Sequence, residues 1–180
     1  MVLSSLFARR PADPATWTPP GMTVVQRYRN SLGEREGAIV LVYTAVSERS
    51  SAYAAACLGC TYRAARNGSR TRLTETEAAA FANKHALNCR AIDRGVPAAP
   101  DDARAAQIVR DRLSTKRGTA PHHVRLADFH EDRVDLQRDD DFIKQVMFEI
   151  VRAEGDFLTT QPGRSGTGTC FMLQPHPARN

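Results

Sequence analysis

The run Ala38-Ile-Val-Leu-Val-Tyr-Thr-Ala-Val46 is uncharged throughout and rich in β-branched residues. A continuous apolar run of this length predicts a strand buried on both faces. Ser47-Glu-Arg-Ser50 predicts a turn, and residues 51–56 predict a strand that returns antiparallel and delivers the chain to Cys57. After Cys60, residues 61–66 and 69–73 predict a short hairpin closed by Asn67-Gly68, because both positions tolerate positive φ. The pattern then turns helical. Thr74-Glu-Thr-Glu77 is a capping box, and the Ala-rich stretch after it predicts a helix to about Arg90, with Gly95 and Pro97 beyond its end.

Asp101 and Asp102 open a second helix that carries Ala105, Ile108, Val109 and Leu113 on one face. Asp139-Asp-Asp141 opens another, with Phe142, Ile143, Val146, Met147, Ile150 and Val151 as its apolar residues. Acids at a helix N-terminus suit the helix dipole. Residues 124–129 fit neither period. Residues 163–168 read as a loop and residues 169–173 as a last strand. Pro11, Pro14, Pro19 and Pro20 mark an extended arm, in which Trp17 packs back on the domain or on a partner. The predicted fold is α+β: a small antiparallel sheet with one clamped helix, then a more helical region. Residues 1–37 form a Pro-rich arm and lead-in, 38–96 a compact module, and 97–180 a mainly helical C-terminal region.

Cysteine placement adds chemistry to this outline. Cys57-Leu-Gly-Cys60 sets two thiols on a tight turn, to which Gly59 gives freedom. His85 and Cys89 lie four apart, so a helix puts both on one face. Hairpin and helix together offer three sulfurs and one imidazole, a complete tetrahedral set for a structural zinc ion with no open position. Two other readings stand beside it. The cysteines can be small buried hydrophobes with His85 on the surface, or Cys57 and Cys60 a redox pair. The segment "AAACLGCTY" followed by "FANKHALNCRAI" resembles a ββα zinc finger of ligand order Cys-Cys-His-Cys, as in small zinc-binding proteins of actinobacteria and their mobile elements. The resemblance spans roughly residues 38–92 and implies a zinc fold without a defined activity.

Charge narrows the function classes. The chain carries a net +5. Residues 51–99 hold seven Lys/Arg against three acids, whereas residues 100–160 hold ten against thirteen. The positive charge therefore gathers around the candidate metal site. Arg63, Arg66, Arg70 and Arg72 with Tyr62 predict a hairpin that contacts DNA or RNA phosphates without strong sequence preference, Tyr62 stacking on a base. The same residues also fit a solvated basic edge that keeps a strand from aggregating. The first helical turn, Thr74 to Ala80, carries no Arg, Asn or Gln to read bases. A protein–protein adaptor using the acidic region is the alternative. A weaker one is a metal-dependent hydrolase or nuclease using His122, His123, Asp128 and His130. Gly163 to Gly168 lacks the lysine of a phosphate-binding loop. Clustered thiols beside a histidine predict a cytoplasmic protein, no run is long enough to span a membrane, and the Arg-over-Lys usage fits a GC-rich bacterial genome.

Overall fold

A computed structural model describes residues 12–33, 35–46, 52–163 and 168–176. The expected turn at 47–50 lies outside them. Four antiparallel strands form the first sheet in the order β1-β2-β3-β4: β1 Met22–Leu32, β2 Arg35–Ala45, β3 Tyr53–Cys57 and β4 Arg63–Ala64. Helix α1, Glu75–Asn88, starts at the expected capping box: the Thr74 side chain accepts from the Glu77 N–H, and the Glu77 carboxylate accepts from the Thr74 N–H. Helix α2 is Asp102–Lys116, capped by Asp101, and α4 is Asp140–Ala153, capped by Asp139. Between them lie β5 His122–Val124, a 3-10 segment Leu126–Asp132 and the short α3 Arg133–Leu136. Strands β6 Leu158–Pro162 and β7 Thr169–Leu173 close a second antiparallel sheet of order β5-β7-β6. The fold is α+β, and none of the described helices is long and apolar enough to cross a membrane.

The unbroken apolar run of β2 has a direct cause. Ala38, Val40 and Val42 face α1, packing with Ala55, Cys57, Leu73, Ala78, Ala82 and Ala86. Ile39, Leu41, Tyr43 and Ala45 face the other way, against Ala54, Ala56, Met22 and Val134, with Trp17 folded back over them. Alanines four apart on α1 let the helix lie close to the sheet, with Phe81 partly buried beside them. A separate core joins α2, α4 and the second sheet through Val109, Leu113, Phe129, Ile143, Met147, Leu158 and Leu173. The two halves meet where the Tyr43 hydroxyl donates to the His130 carbonyl at 2.8 Å and Val134 enters the first sheet's core.

Three local expectations change. Residues 22–32, grouped by sequence with the lead-in, form the edge strand β1, paired along the length of β2. Register shifts between Val24 and Gln26 and between Arg29 and Ser31 break the alternation that would have betrayed it. The C-terminal region carries a three-stranded sheet, not one strand; β6 is a mostly exposed edge whose sequence, Leu-Thr-Thr-Gln-Pro, holds one large apolar residue. Asn67-Gly68 is not a two-residue turn. The bridge is Arg66 to Arg72, the Asn67 side chain accepts from the N–H groups of Ser69 and Thr71, and Arg70, not Gly68, takes the positive φ of 60°.

Candidate metal centre

Strand β3 ends on Cys57, which lies on the face toward α1 and is fully buried. The Leu58 N–H donates to the Ile39 carbonyl, and the Cys57 N–H to the Tyr62 carbonyl, so the chain doubles back and brings Cys60 beside Cys57. Gly59 is not needed for a left-handed backbone, as its φ is not positive. It is needed for space: a Cβ there would sit 2.4 Å from the Ala38 Cβ and 2.9 Å from the Ala91 Cβ. Gly59→Ala is therefore expected to push the knuckle off β2, costing about 1–3 kcal/mol as other overpacked sites do. Thermal unfolding checks that loss, and zinc competition against a chromophoric chelator should show weaker binding in the same variant.

His85 lies in the last turn of α1, and the helix stops at Asn88, slightly earlier than expected. Cys89 is its C-cap, with an N–H that still donates to the His85 carbonyl, so the spacing of four holds both side chains on one side. One ligand atom from each of Cys57, Cys60, His85 and Cys89 lies within 4.8 Å of every other. The Cys60 Sγ is 3.3 Å from the His85 Nε2 and 3.9 Å from the Cys89 Sγ. A disulfide needs about 2.05 Å between sulfurs, and all four cysteines of the chain are free. The group can hold one metal ion.

Backbone N–H groups of Tyr62 and Ala91 donate to the Cys60 and Cys89 sulfurs at 3.4 Å each. The Tyr62 ring stacks on the His85 imidazole at 3.9 Å and 11°, fixing its plane. Burial holds the His85 pKa below its ordinary value, toward the neutral form that binds metals. Burial, reinforced by neighbouring Cys60 and Cys89, pushes the Cys57 thiol up to about 12. Three crowded thiols do not ionise together without a cation between them.

The predicted basic hairpin is placed differently from what its sequence suggests. Arg63 grips Asp135 of α3 through two nitrogens, at 2.8 and 2.6 Å, and donates to the carbonyls of Cys57, Cys60 and Tyr62. It staples the knuckle to the C-terminal half. Arg66, Arg72 and Lys116 converge on Asp128, while Arg70 is exposed on the loop. Tyr62 is stacked on His85, and its hydroxyl donates to the Phe81 carbonyl at 3.4 Å. Sequence reasoning missed Lys116, Asp128 and Asp135 as partners of this loop, since no local pattern links residues more than forty positions apart.

The residues suggested for a second metal site do not come together. Asp128 is held by cations, and His130 is buried in the 3-10 segment. His122 and His123 are neighbours on β5. Among the described residues, only the Cys57, Cys60, His85 and Cys89 group has metal-binding geometry. Cys170 lies half-buried on β7, outside that group. No known protein family, curated protein or solved structure matches the chain, so the expected resemblance to actinobacterial zinc-finger proteins finds no support there, and what stands is a Cys-Cys-His-Cys group within metal-binding distance.

Proposed function

We propose that the chain is a zinc-stabilised binding protein that contacts nucleic acid through the loop bearing Arg66, Arg70 and Arg72. The convergence of three sulfurs and one imidazole carries this reading. A tetrahedral zinc with Zn–S of about 2.3 Å and Zn–N of about 2.0–2.1 Å sets ligand atoms about 3.5–3.8 Å apart. The observed separations of 3.3 and 3.9 Å bracket that range. Zinc here supplies a cross-link between knuckle and helix, and a closed donor set leaves no position for substrate.

Charge supports the second half of the reading. Around Asp128 three cations face one carboxylate, and the Arg70 and Arg125 side chains, both exposed, make no ion pair among the described residues. The acids of the C-terminal half are partly paired. Asp135 pairs with Arg63, Glu131 and Asp132 with Arg112, and Asp140 with Arg133. The adaptor alternative keeps the exposed acids Asp101, Asp111, Asp139, Glu149 and Asp156, which make no ion pair among the described residues. Arg63 serves the fold, so the contact falls to Arg66, Arg70 and Arg72.

The test is binding to a nonspecific single-stranded DNA or RNA oligonucleotide across a salt series. Affinity should fall steeply with salt, and Arg66→Ala with Arg70→Ala should reduce the logarithmic slope by about two. No affinity at low salt contradicts the nucleic-acid reading and leaves the metal site untouched.

A further inference from the structure

Three cationic side chains meet on one oxygen. The Asp128 Oδ1 lies 3.0 Å from the Arg66 Nη2, 3.1 Å from the Lys116 Nζ and 3.6 Å from the Arg72 Nη2. Its Oδ2 accepts from the Arg125 backbone N–H at 2.9 Å. Asp128 is nearly covered, with 6% of its side chain exposed, whereas Arg66 keeps 39% and Arg72 28%. The cluster carries three positive charges against one negative. A lysine has three donors and an arginine five, so most donors of this set are not taken up by one carboxylate. Crowded like charges raise the local potential, and a second anion at the open side would lower it.

We infer that Arg66, Arg72 and Lys116 form a seat for a phosphate group of a nucleic-acid backbone, with Asp128 as a built-in competitor that keeps the three cations in position when no phosphate is bound. The inference rests on the nucleic-acid reading and adds to it a defined seat, a ligand from the other half of the chain, and a residue that weakens binding. Carboxylate and phosphate oxygens accept from guanidinium and ammonium groups in the same way, so a carboxylate can hold the donors in the arrangement a phosphate requires. Arg66 and Arg72 flank the loop of the zinc-bearing half, and Lys116 ends α2. The seat is thus complete only where the two halves are docked. Burial raises the Asp128 carboxyl, but the Arg125 N–H, Lys116 and Arg72 outweigh it and hold the pKa below the ordinary value, so Asp128 stays charged near neutral pH.

The test compares the full-length protein with Asp128→Asn and Lys116→Gln, using a single-stranded oligonucleotide and, separately, inorganic pyrophosphate followed by NMR. Asparagine keeps the oxygen that caps the 3-10 segment but removes the competing charge. Asp128→Asn should bind the oligonucleotide more tightly, by roughly four-fold, the effect of one unit charge about 5 Å away in a water-like medium. Lys116→Gln should bind more weakly and lower the salt slope by about one. Lys116 is a partly exposed side chain, so its variant folds even if Asp128→Asn is unstable. Oligonucleotide affinity unchanged in Lys116→Gln overturns the seat while leaving the broader nucleic-acid reading in place. Weaker binding by a folded Asp128→Asn overturns the competitor role. Pyrophosphate binding without oligonucleotide binding overturns nucleic acid as the ligand.

Discussion

Cys57→Ser is expected to lose the bound metal and to release α1 from the sheet while the C-terminal core stays folded. Cys57 ends β3, and His85 and Cys89 end α1, so an ion held by this group ties the strand to the helix. The fully buried residues of the helix are only Ala78, Ala82 and Ala86, with Phe81 partly buried beside them. Alanine side chains bring little apolar area, and about 25 cal/mol per Å² leaves the helix marginal by packing alone. Zinc binding to finger peptides is worth about 10–16 kcal/mol at neutral pH, and on the proposed reading that ion is the largest single contribution at this end of the molecule. Hydrogen exchange should show α1 amides losing protection in Cys57→Ser and in chelator-treated protein, with α4 amides little changed. Cys89→Ser separates this account from one of buried thiols. Cys89 is partly exposed, so as a small hydrophobe its loss would cost little, whereas as a ligand it matters as much as Cys57. Retained metal and retained α1 protection in both variants would mean that the sulfurs merely pack.

Acidification from about pH 6.5 to about pH 4 is expected to cost about 3 kcal/mol at His130 alone. His130 is 1% exposed, and its Nε2 has no hydrogen-bond partner. Burial first, then the nearby charges of Arg133 and Arg72, lower its pKa from 6.5 to about 4. In the unfolded chain the imidazole takes a proton below about 6.5, and the folded protein refuses it until about 4. The unfolded state therefore binds more protons across that window, so stability is complete above it and declines as pH falls through it. Asp128 acts lower on the scale: its depressed pKa contributes stability that is full above the ordinary carboxyl pKa and is lost as pH falls from there through the folded value. Zinc release at low pH adds a loss common to all variants. The informative quantity is thus the difference between wild type and His130→Gln in denaturant titrations from pH 7 to pH 4. The variant should show a shallower decline over this window, and parallel curves would contradict the assignment.

Much of the framework is legible in the chain because its signals are local. The β2 run is apolar on both faces because α1 covers one face and Trp17 with Val134 the other, and α1, α2 and α4 each announce themselves with a side-chain cap. The four ligands were legible from spacing alone, since a knuckle and a pair four apart are short-range patterns. The less visible features depend on long-range or irregular geometry. Strand β1 hides behind its register shifts, and β6 behind polar residues. Gly59 looks like a turn residue, yet its role is to let the knuckle touch Ala38 and Ala91. The arginines at 63, 66 and 72 read as a free basic edge because their acidic partners, Asp128 and Asp135, lie far along the sequence. Local pattern cannot reveal such pairs, and they change which side chains remain to meet a ligand.

X-ray absorption at the zinc edge of the purified full-length protein addresses the metal site most directly. About one zinc per chain, with three sulfur neighbours near 2.3 Å and one nitrogen near 2.0–2.1 Å, is the expected result. Protein without zinc, or zinc in a shell dominated by oxygen and nitrogen, would contradict it.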